Sequence, residues 1–418
     1  MRGKSLSIGL RAALAIFAVT LLATSAWADT HEKVLFNFNR TDGAYTFAGL
    51  IFDAAGNLYG TTCEGGAYEN GTAFGLTPTA GGGWMEQVLF SFGHGYGACP
   101  VAGLIFDAAG NLYGTATGGG NYGLGTVHEL TPTAGGGWTE QVLHSFNGGD
   151  GNAPWAGVVF GAAGSLYGTT MYGGAYNSGT AFEVTPTADG RWTEKVLYSF
   201  NNNDTDGYQP EAGLIVDTAG NLYGTTDYGG AYGAGTVFEL TPTAGGGWTE
   251  KVLHSFNYNF SDGAYPYAGL IFDAAGNLYG ATTQGGAYGA GTVFELTPTA
   301  VGGWTENVLH SFGNGTDGSQ PFASLIFDAA GNLYGTTFLG GTYGVGTVFE
   351  LTPAADGDWT ENVLYSFGSQ GSDGTKPNAG VIVDVVGNLY GTTLSGGTNG
   401  DGIVFEVQRA YPCARCPQ

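Results

Sequence analysis

Positive charge is scarce in this 418-residue chain: Lys and Arg number 11 against 35 Asp and Glu, a formal net charge of −24. A surface so acidic repels nucleic acid and anionic membranes, which excludes both as partners. Charged residues make up only 11%, yet hydrophobic residues reach 43% and aromatics 14%. Disordered chains show the reverse balance, so this one can bury a large core. Cysteine is limited to Cys63, Cys99, Cys413 and Cys416. The single C-x-x-C, without a second pair or a nearby His, argues against zinc. The longest apolar run, Ala12–Leu22, is too short to span a bilayer comfortably. Also missing are G-x-S-x-G, H-E-x-x-H and the P-loop. No segment of the repeat holds a 3.6-residue apolar period long enough for a helix, which excludes helical solenoids.

What is present begins with a targeting segment. Arg2, Lys4 and Arg11 precede the apolar run, and Ala26-Trp27-Ala28 follows as an A-x-A cleavage site. Residues 1–28 thus read as a secretory signal peptide, and its removal takes the formal charge from −24 to −27. The mature chain is expected outside the cell or in the periplasm, without membrane insertion, where disulfides form. A Cys63–Cys99 disulfide is expected, and a small Cys413–Cys416 loop in a tail over 408–418.

Glycine is abundant, at 79 residues, and recurs in a fixed phrase, Gly56-Asn57-Leu58-Tyr59-Gly60-Thr61-Thr62. Its tyrosines are Tyr59, Tyr113, Tyr167, Tyr223, Tyr279, Tyr334 and Tyr390, spaced 54 to 56 residues apart. Seven copies at this period fit propeller blades or a solenoid. The copy from Ala268 to Phe312 reads as four strands. Strand a covers 268–273 and strand b 277–283. Strand c covers 291–297, stopped by Pro298. Strand d covers 304–312, with Trp304, Glu306, Val308, His310 and Phe312 on one face by period-2 alternation. Four strands per unit select an all-β propeller with seven blades over 29–407.

The ends of the repeat array argue for a closed ring. The last copy stops at its strand c, Gly402–Val407, while the missing strand d stands at the other end as His31–Phe38. An open array would leave bare sheet edges; a ring lets the N-terminal strand complete the last blade. A parallel β-helix is the alternative, but its rungs are shorter and need no shared strand.

The string D-x-x-G-N-L-Y-G-T-T-x-x-G-G followed by G-T-V-F-E-L-T-P resembles the Gloeo/Verruco tandem repeat of choice-of-anchor exported bacterial proteins. The resemblance runs from His31 to about Val407 and implies an exported repeat protein of unknown activity. Members often carry a C-terminal sorting anchor; this chain ends in Arg409-Ala-Tyr-Pro-Cys-Ala-Arg-Cys-Pro-Gln418. The a–b hairpin is also similar to those of NHL-type, SMP-30-like and sensor-regulator propellers, which include binders and enzymes alike.

Residues that recur in six of the seven units are read as architecture; the third copy has Gly161 in place of the a–b Asp. Asp53, Asp107, Asp217, Asp273, Asp328 and Asp384 suit the a–b turn, and Asp42, Asp150, Asp206, Asp262, Asp317 and Asp373 the d–a loops. Calcium is the one cofactor their oxygens could take; none is otherwise expected. His144, His254 and His310 share a strand-d position with Phe90, Tyr198 and Tyr365, which indicates packing, and His94 is the only His to test for chemistry.

Function is sought where copies differ, on the face where the d–a and b–c loops gather. One variable ring is Phe47, Val101, Trp155, Glu211, Tyr267, Phe322 and Asn378; another is Cys63, Thr117, Met171, Asp227, Thr283, Phe338 and Leu394. The b–c tyrosines, such as Tyr68 and Tyr288, add aromatic surface. Aromatic rings beside carboxylates suit sugar recognition, so Phe47, Trp155, Glu211, Tyr267, Phe322 and Asn378 are the candidate ligand contacts. Glu211 and Asp227, both in the fourth copy, form the candidate carboxylate pair for catalysis, and His94, in the d–a loop entering the second, is a separate catalytic candidate. The leading expectation is a non-enzymatic binding or scaffold protein for a glycan or protein partner. The alternatives are a lyase or hydrolase at the channel mouth and a structural surface component.

Overall fold

The computed structural model describes residues 31–93, 95–355 and 357–409. The signal segment, His94 and the Cys413–Cys416 pair lie outside them. Seven four-stranded antiparallel sheets form the blades of a β-propeller. Blade 1 comprises Ile51–Phe52, Leu58–Thr62, Thr72–Pro78 and Trp84–Ser91 as strands a to d. Blade 5 comprises Ile271–Phe272, Leu278–Thr282, Thr292–Pro298 and Trp304–Ser311. Blade 7 takes Ile382–Val383, Leu389–Thr393 and Ile403–Gln408 from the end of the chain, and its outer strand, His31–Asn37, from the beginning. That closure pairs His31 with Gln408 and Asn37 with Ile403.

Each blade has two apolar faces and no core of its own; the buried clusters lie between blades, seven in all among the described residues. The repeated tyrosine is central to every seam. Tyr59 of strand b meets Phe106 (5.0 Å) and Trp138 (6.5 Å) of the next blade edge-on. At the closing seam Tyr390 meets Phe52 (5.2 Å) and Trp84 (6.3 Å) in the same way. The phenol tip is satisfied within its own blade: Tyr279 donates to Glu295 at 2.6 Å and to Asp273 at 3.4 Å. One side chain thus supplies apolar area to a seam and keeps its hydroxyl paired. The Asp itself closes the turn, Asp273 accepting from the Ala275 and Asn277 amides at 2.8 Å each.

The two threonines after that tyrosine have different tasks. The first hydroxyl crosses the seam to a strand-a carbonyl: Thr61 to Ala102, Thr115 to Ala156, Thr169 to Ala212, Thr225 to Ala268, Thr336 to Ala379, and Thr392 to Ala48 across the closure. Blade 5 carries Ala281 there instead. The second threonine bonds strand c of its own blade, as Thr282 does with Thr292 at 2.8 Å.

Two sequence expectations need correcting. Strand a is not a six-residue ladder; pairing is confined to Ile271–Phe272, and the same two-residue pairing recurs in every blade, including blade 6, whose Ala323 carbonyl faces Ala281 rather than a threonine, and blade 3, which has Gly161 in place of the Asp. Strand d does not keep one face. Phe294 pairs with Val308 but Val293 with His310, so Leu309 is an extra residue forming a β-bulge. Before the bulge Trp304 packs toward blade 4; after it Leu309 and Phe312 pack toward blade 6. The same shift recurs in every blade.

Because Glu306 precedes the bulge, it faces Asp262 and His254 of the preceding seam. Burial pushes its carboxyl up to about 7, Asp262 pushes further, and Oε1 is buried without a hydrogen-bond partner. Glu86, Glu140, Glu194, Glu250 and Glu361 stand at about 7 for the same first reason, and Glu32 at about 8. A second oddity is His128, fully buried where six blades have Phe, with both ring nitrogens unpartnered and burial pushing it down to about 3. A Cys63–Cys99 disulfide ties blade 1 to blade 2, as expected.

Three outcomes follow. His128→Phe removes an orphaned polar ring from a dry seam and stabilises the fold by about 1–3 kcal/mol in chemical denaturation at pH 7. The lowered His128 pKa also costs the parent stability as pH falls below about 6.5, and the variant loses less on that acid limb. For Glu306 the sign is opposite: the folded state holds its proton more tightly, so stability falls as pH rises from the ordinary Glu range through about 7. Glu306→Gln therefore raises the melting temperature at pH 8 and leaves it nearly unchanged at pH 4.5. Replacing both Cys63 and Cys99 by Ser lowers unfolding stability by about 2–4 kcal/mol; no change would mean that the seam is held without the bond.

Candidate functional site

The d–a loop of each blade reaches the channel through one residue in the left-handed region: Tyr45, Cys99, Ala153, Gln209, Tyr265, Gln320 or Lys376, at φ from +52° to +59°. L-residues avoid this conformation, and here two hydrogen bonds hold it. The Tyr265 amide donates to Ala234 O of the preceding blade at 2.9 Å, and its carbonyl accepts from the Thr283 amide of its own blade at 3.0 Å. The strain recurs at all seven seams and sets the next two residues. The first is proline in six blades; in blade 1 it is Thr46, whose hydroxyl donates to Thr393 O at 2.8 Å across the closure. The second is the variable ring position.

All seven ring residues, Phe47, Val101, Trp155, Glu211, Tyr267, Phe322 and Asn378, line one channel cavity of about 580 Å³. Phe47 and Trp155, on blades 1 and 3, meet edge-to-face at 6.3 Å over the mouth. Tyr267 and Phe322 meet at 5.1 Å, and Phe322 continues to Phe338 at 5.2 Å. Lys376 sits over the Phe338 ring at 5.7 Å.

The second variable ring lies one step outward, beside the left-handed residue of the next blade. At one seam this pair of positions is bridged as Cys63–Cys99; at another it holds Phe338 and Lys376. Between blades 4 and 5 it holds Asp227 and Tyr265, which share a pocket of about 320 Å³ with Tyr228, Tyr267, Thr283, Gln284, Gln320 and Phe322. Asp227 is 1% exposed, and neither carboxylate oxygen has a hydrogen-bond partner. Burial pushes its carboxyl up to about 7; the Tyr228 phenol counters this without reaching hydrogen-bond geometry with either oxygen. Glu211 is 8% exposed with Oε1 unpartnered. Burial lifts it to about 7, the Tyr267 hydroxyl pulls it down, and the neighbouring Asp227 adds to the rise.

Of the residues singled out from the sequence, Glu211 lines the channel, Asp227 the side pocket, and Tyr267 and Phe322 both; Tyr228, Tyr265, Gln284 and Gln320 join them in the side pocket and were not singled out. Tyr228 and Gln284 follow the second ring by one residue and Tyr265 and Gln320 precede the first by two, at positions that vary just as much, so tabulating two residues further would have found them. Tyr208 stacks on Tyr228 at 5.6 Å and Tyr228 meets Tyr265 at 5.4 Å, so an aromatic track runs over blades 4 to 6. The exposed tyrosines Tyr68, Tyr122, Tyr176, Tyr232, Tyr288 and Tyr343 line neither the channel nor this pocket.

Other groups flagged by sequence are engaged structurally. The d–a aspartates accept amides of their own loops, as Asp150 does from Asn147 at 2.9 Å and Asp317 from Gly313 at 2.8 Å. His144 lies 3.2 Å from Asp150, the contact that Tyr198 makes to Asp206 at 2.9 Å and Tyr365 to Asp373 at 2.8 Å. Among the described residues His144, Asp150 and Glu194 are the one group close enough to hold a metal ion.

Among solved structures, an ancestral GH74 enzyme superposes over 88% of this chain with a TM-score of 0.56 at 12% identity; the chain spans about half (48%) of that protein. A protein described as a 6-phosphogluconolactonase, from Bacteroides uniformis ATCC 8492, covers 76% of this chain and 83% of its own, at 13% identity and a TM-score of 0.47. One described as an oxidoreductase (glucose dehydrogenase), from Thermus thermophilus, covers 73% and 95%, at 16% identity and a TM-score of 0.42. At such identities the likeness is one of fold. No curated protein matches the chain. The model of the Gloeobacter/Verrucomicrobia repeat matches residues 15–140, 135–329 and 300–413, nearly the whole length. The chain belongs to the Gloeobacter/Verrucomicrobia repeat family.

Proposed function

We propose that this is an exported, non-enzymatic glycan-binding protein whose site is the channel mouth over blades 4 to 6. The observation that carries the reading is Asp227, buried with both oxygens unpartnered, in a pocket walled by Tyr228, Tyr265, Tyr267 and Phe322. Native proteins pair their buried polar atoms; Glu306 leaves one oxygen orphaned within a seam, whereas Asp227 leaves both orphaned in the lining of an open pocket, which suits an acceptor kept for a ligand. Aromatic faces stack on the apolar faces of sugar rings, while Asp227, Glu211, Gln284 and Gln320 offer directional bonds to hydroxyls. The left-handed ring and the seam hydrogen bonds fix these groups in advance, which lowers the ordering cost of binding. Export is supported by the basic and apolar N-terminal segment and by the disulfide.

The test is binding of the mature chain to a panel of oligosaccharides, followed by titration calorimetry on any sugar retained. Tyr267→Ala removes a stacking face and weakens binding by about 1–3 kcal/mol, about 5- to 150-fold in Kd. Tyr288→Ala, far from the pocket, changes nothing. Retention of no sugar, or equal binding by Tyr267→Ala, would contradict the proposal. Product release from a retained sugar would replace binding by turnover.

A further inference from the structure

We propose that the Glu211–Asp227 pair receives a protonated amino group, and that the glycan bound at the mouth is an amino sugar with its amine free. This rests on the glycan reading above and names its substrate class. Three carboxylate oxygens, Asp227 Oδ1 and Oδ2 and Glu211 Oε1, are buried and unpartnered at one mouth. Among the described residues, no Lys, Arg or His lines either the channel or the side pocket. The titratable groups facing the pair are the phenols of Tyr228, Tyr265 and Tyr267, none of which can carry a positive charge.

A neutral sugar would answer this arrangement only in part. Its hydroxyls donate single hydrogen bonds and leave the two acids, which act on each other electrostatically, with like charges or retained protons and no opposite charge. An ammonium group supplies three N–H donors and the missing opposite charge in one small head. It also lies against electron-rich rings, here Tyr228, Tyr265, Tyr267 and Phe322, and such walls attract ammonium groups. Long-range charge agrees, because the chain carries −24 overall and draws cations to its surface. Both carboxyls sit at about 7, held there chiefly by burial. An approaching cation reverses that, so amine binding near pH 6 expels protons from the pair. Acetylating the amine removes the charge and the donors together.

The experiment is titration calorimetry on the mature chain with three probes: a glucosamine tetramer with free amines, its fully N-acetylated counterpart, and a lysine tetrapeptide. The expected result at pH 7 is a preference of about tenfold or more for the free-amine sugar over the acetylated one, the scale of a charge-assisted hydrogen bond. Asp227→Asn and Glu211→Gln, near-isosteric changes whose folding is checked by melting, abolish that preference. Affinity for the amine sugar rises from pH 5 to 7, and the slope of the observed heat against buffer ionisation enthalpy shows net proton release. Equal binding of both sugars overturns the ammonium assignment and leaves the glycan reading standing. Equal binding of the lysine peptide overturns the sugar as the source of the amine. Binding of no probe overturns the assignment.

Discussion

Every blade of this propeller is a sheet with two greasy faces, and neither can be covered except by a neighbour. That requirement forces a ring. Six seams form by succession along the chain; the seventh exists only because His31–Asn37 lies along Ile403–Gln408. The closing seam reuses the devices of the others, with Tyr390 under Phe52 and Trp84 and Thr392 bonded to Ala48. It adds one of its own, Thr46 in place of the usual proline. Nearest-neighbour stabilisation of this kind is characteristic of repeat proteins, but a closed ring lacks exposed terminal repeats and gains a link between the chain ends.

The scaffold was legible because its physics repeats. A phrase met seven times marks a position whose environment is the same seven times, and the displaced strand d exposes the closure as a matter of counting. The parts that escaped were those in which backbone geometry overrides pattern. The bulge at Leu309 cannot be seen in V-L-H-S, since alternation reads straight through it. The shortness of strand a is equally hidden, and so is the threonine hydroxyl that reaches the carbonyl before it from the preceding blade, a partner some 43 residues away in sequence. The left-handed positions carry Tyr, Ala, Gln and Lys, none of which announces positive φ.

The candidate site shows the same division. The variable rings were visible as departures from an otherwise constant phrase, and they do line one cavity. What the sequence could not supply was lateral adjacency, the pairing of a residue after strand b with the left-handed residue of the next blade. That adjacency is proved once by a disulfide and is used elsewhere to set Asp227 against Tyr265. A uniform frame thus presents seven versions of one small junction, and the one between blades 4 and 5 sets an acid, Asp227, beside a ring, Tyr265.

The claim on which this account stands is that the ring closes through its ends. Amide hydrogen exchange, read residue by residue on the mature chain, tests it directly. The account predicts that the ladder amides of His31–Asn37 exchange as slowly as those of Leu389–Thr393 in the same blade. Fast exchange along His31–Asn37, with Leu389–Thr393 still protected, would contradict it.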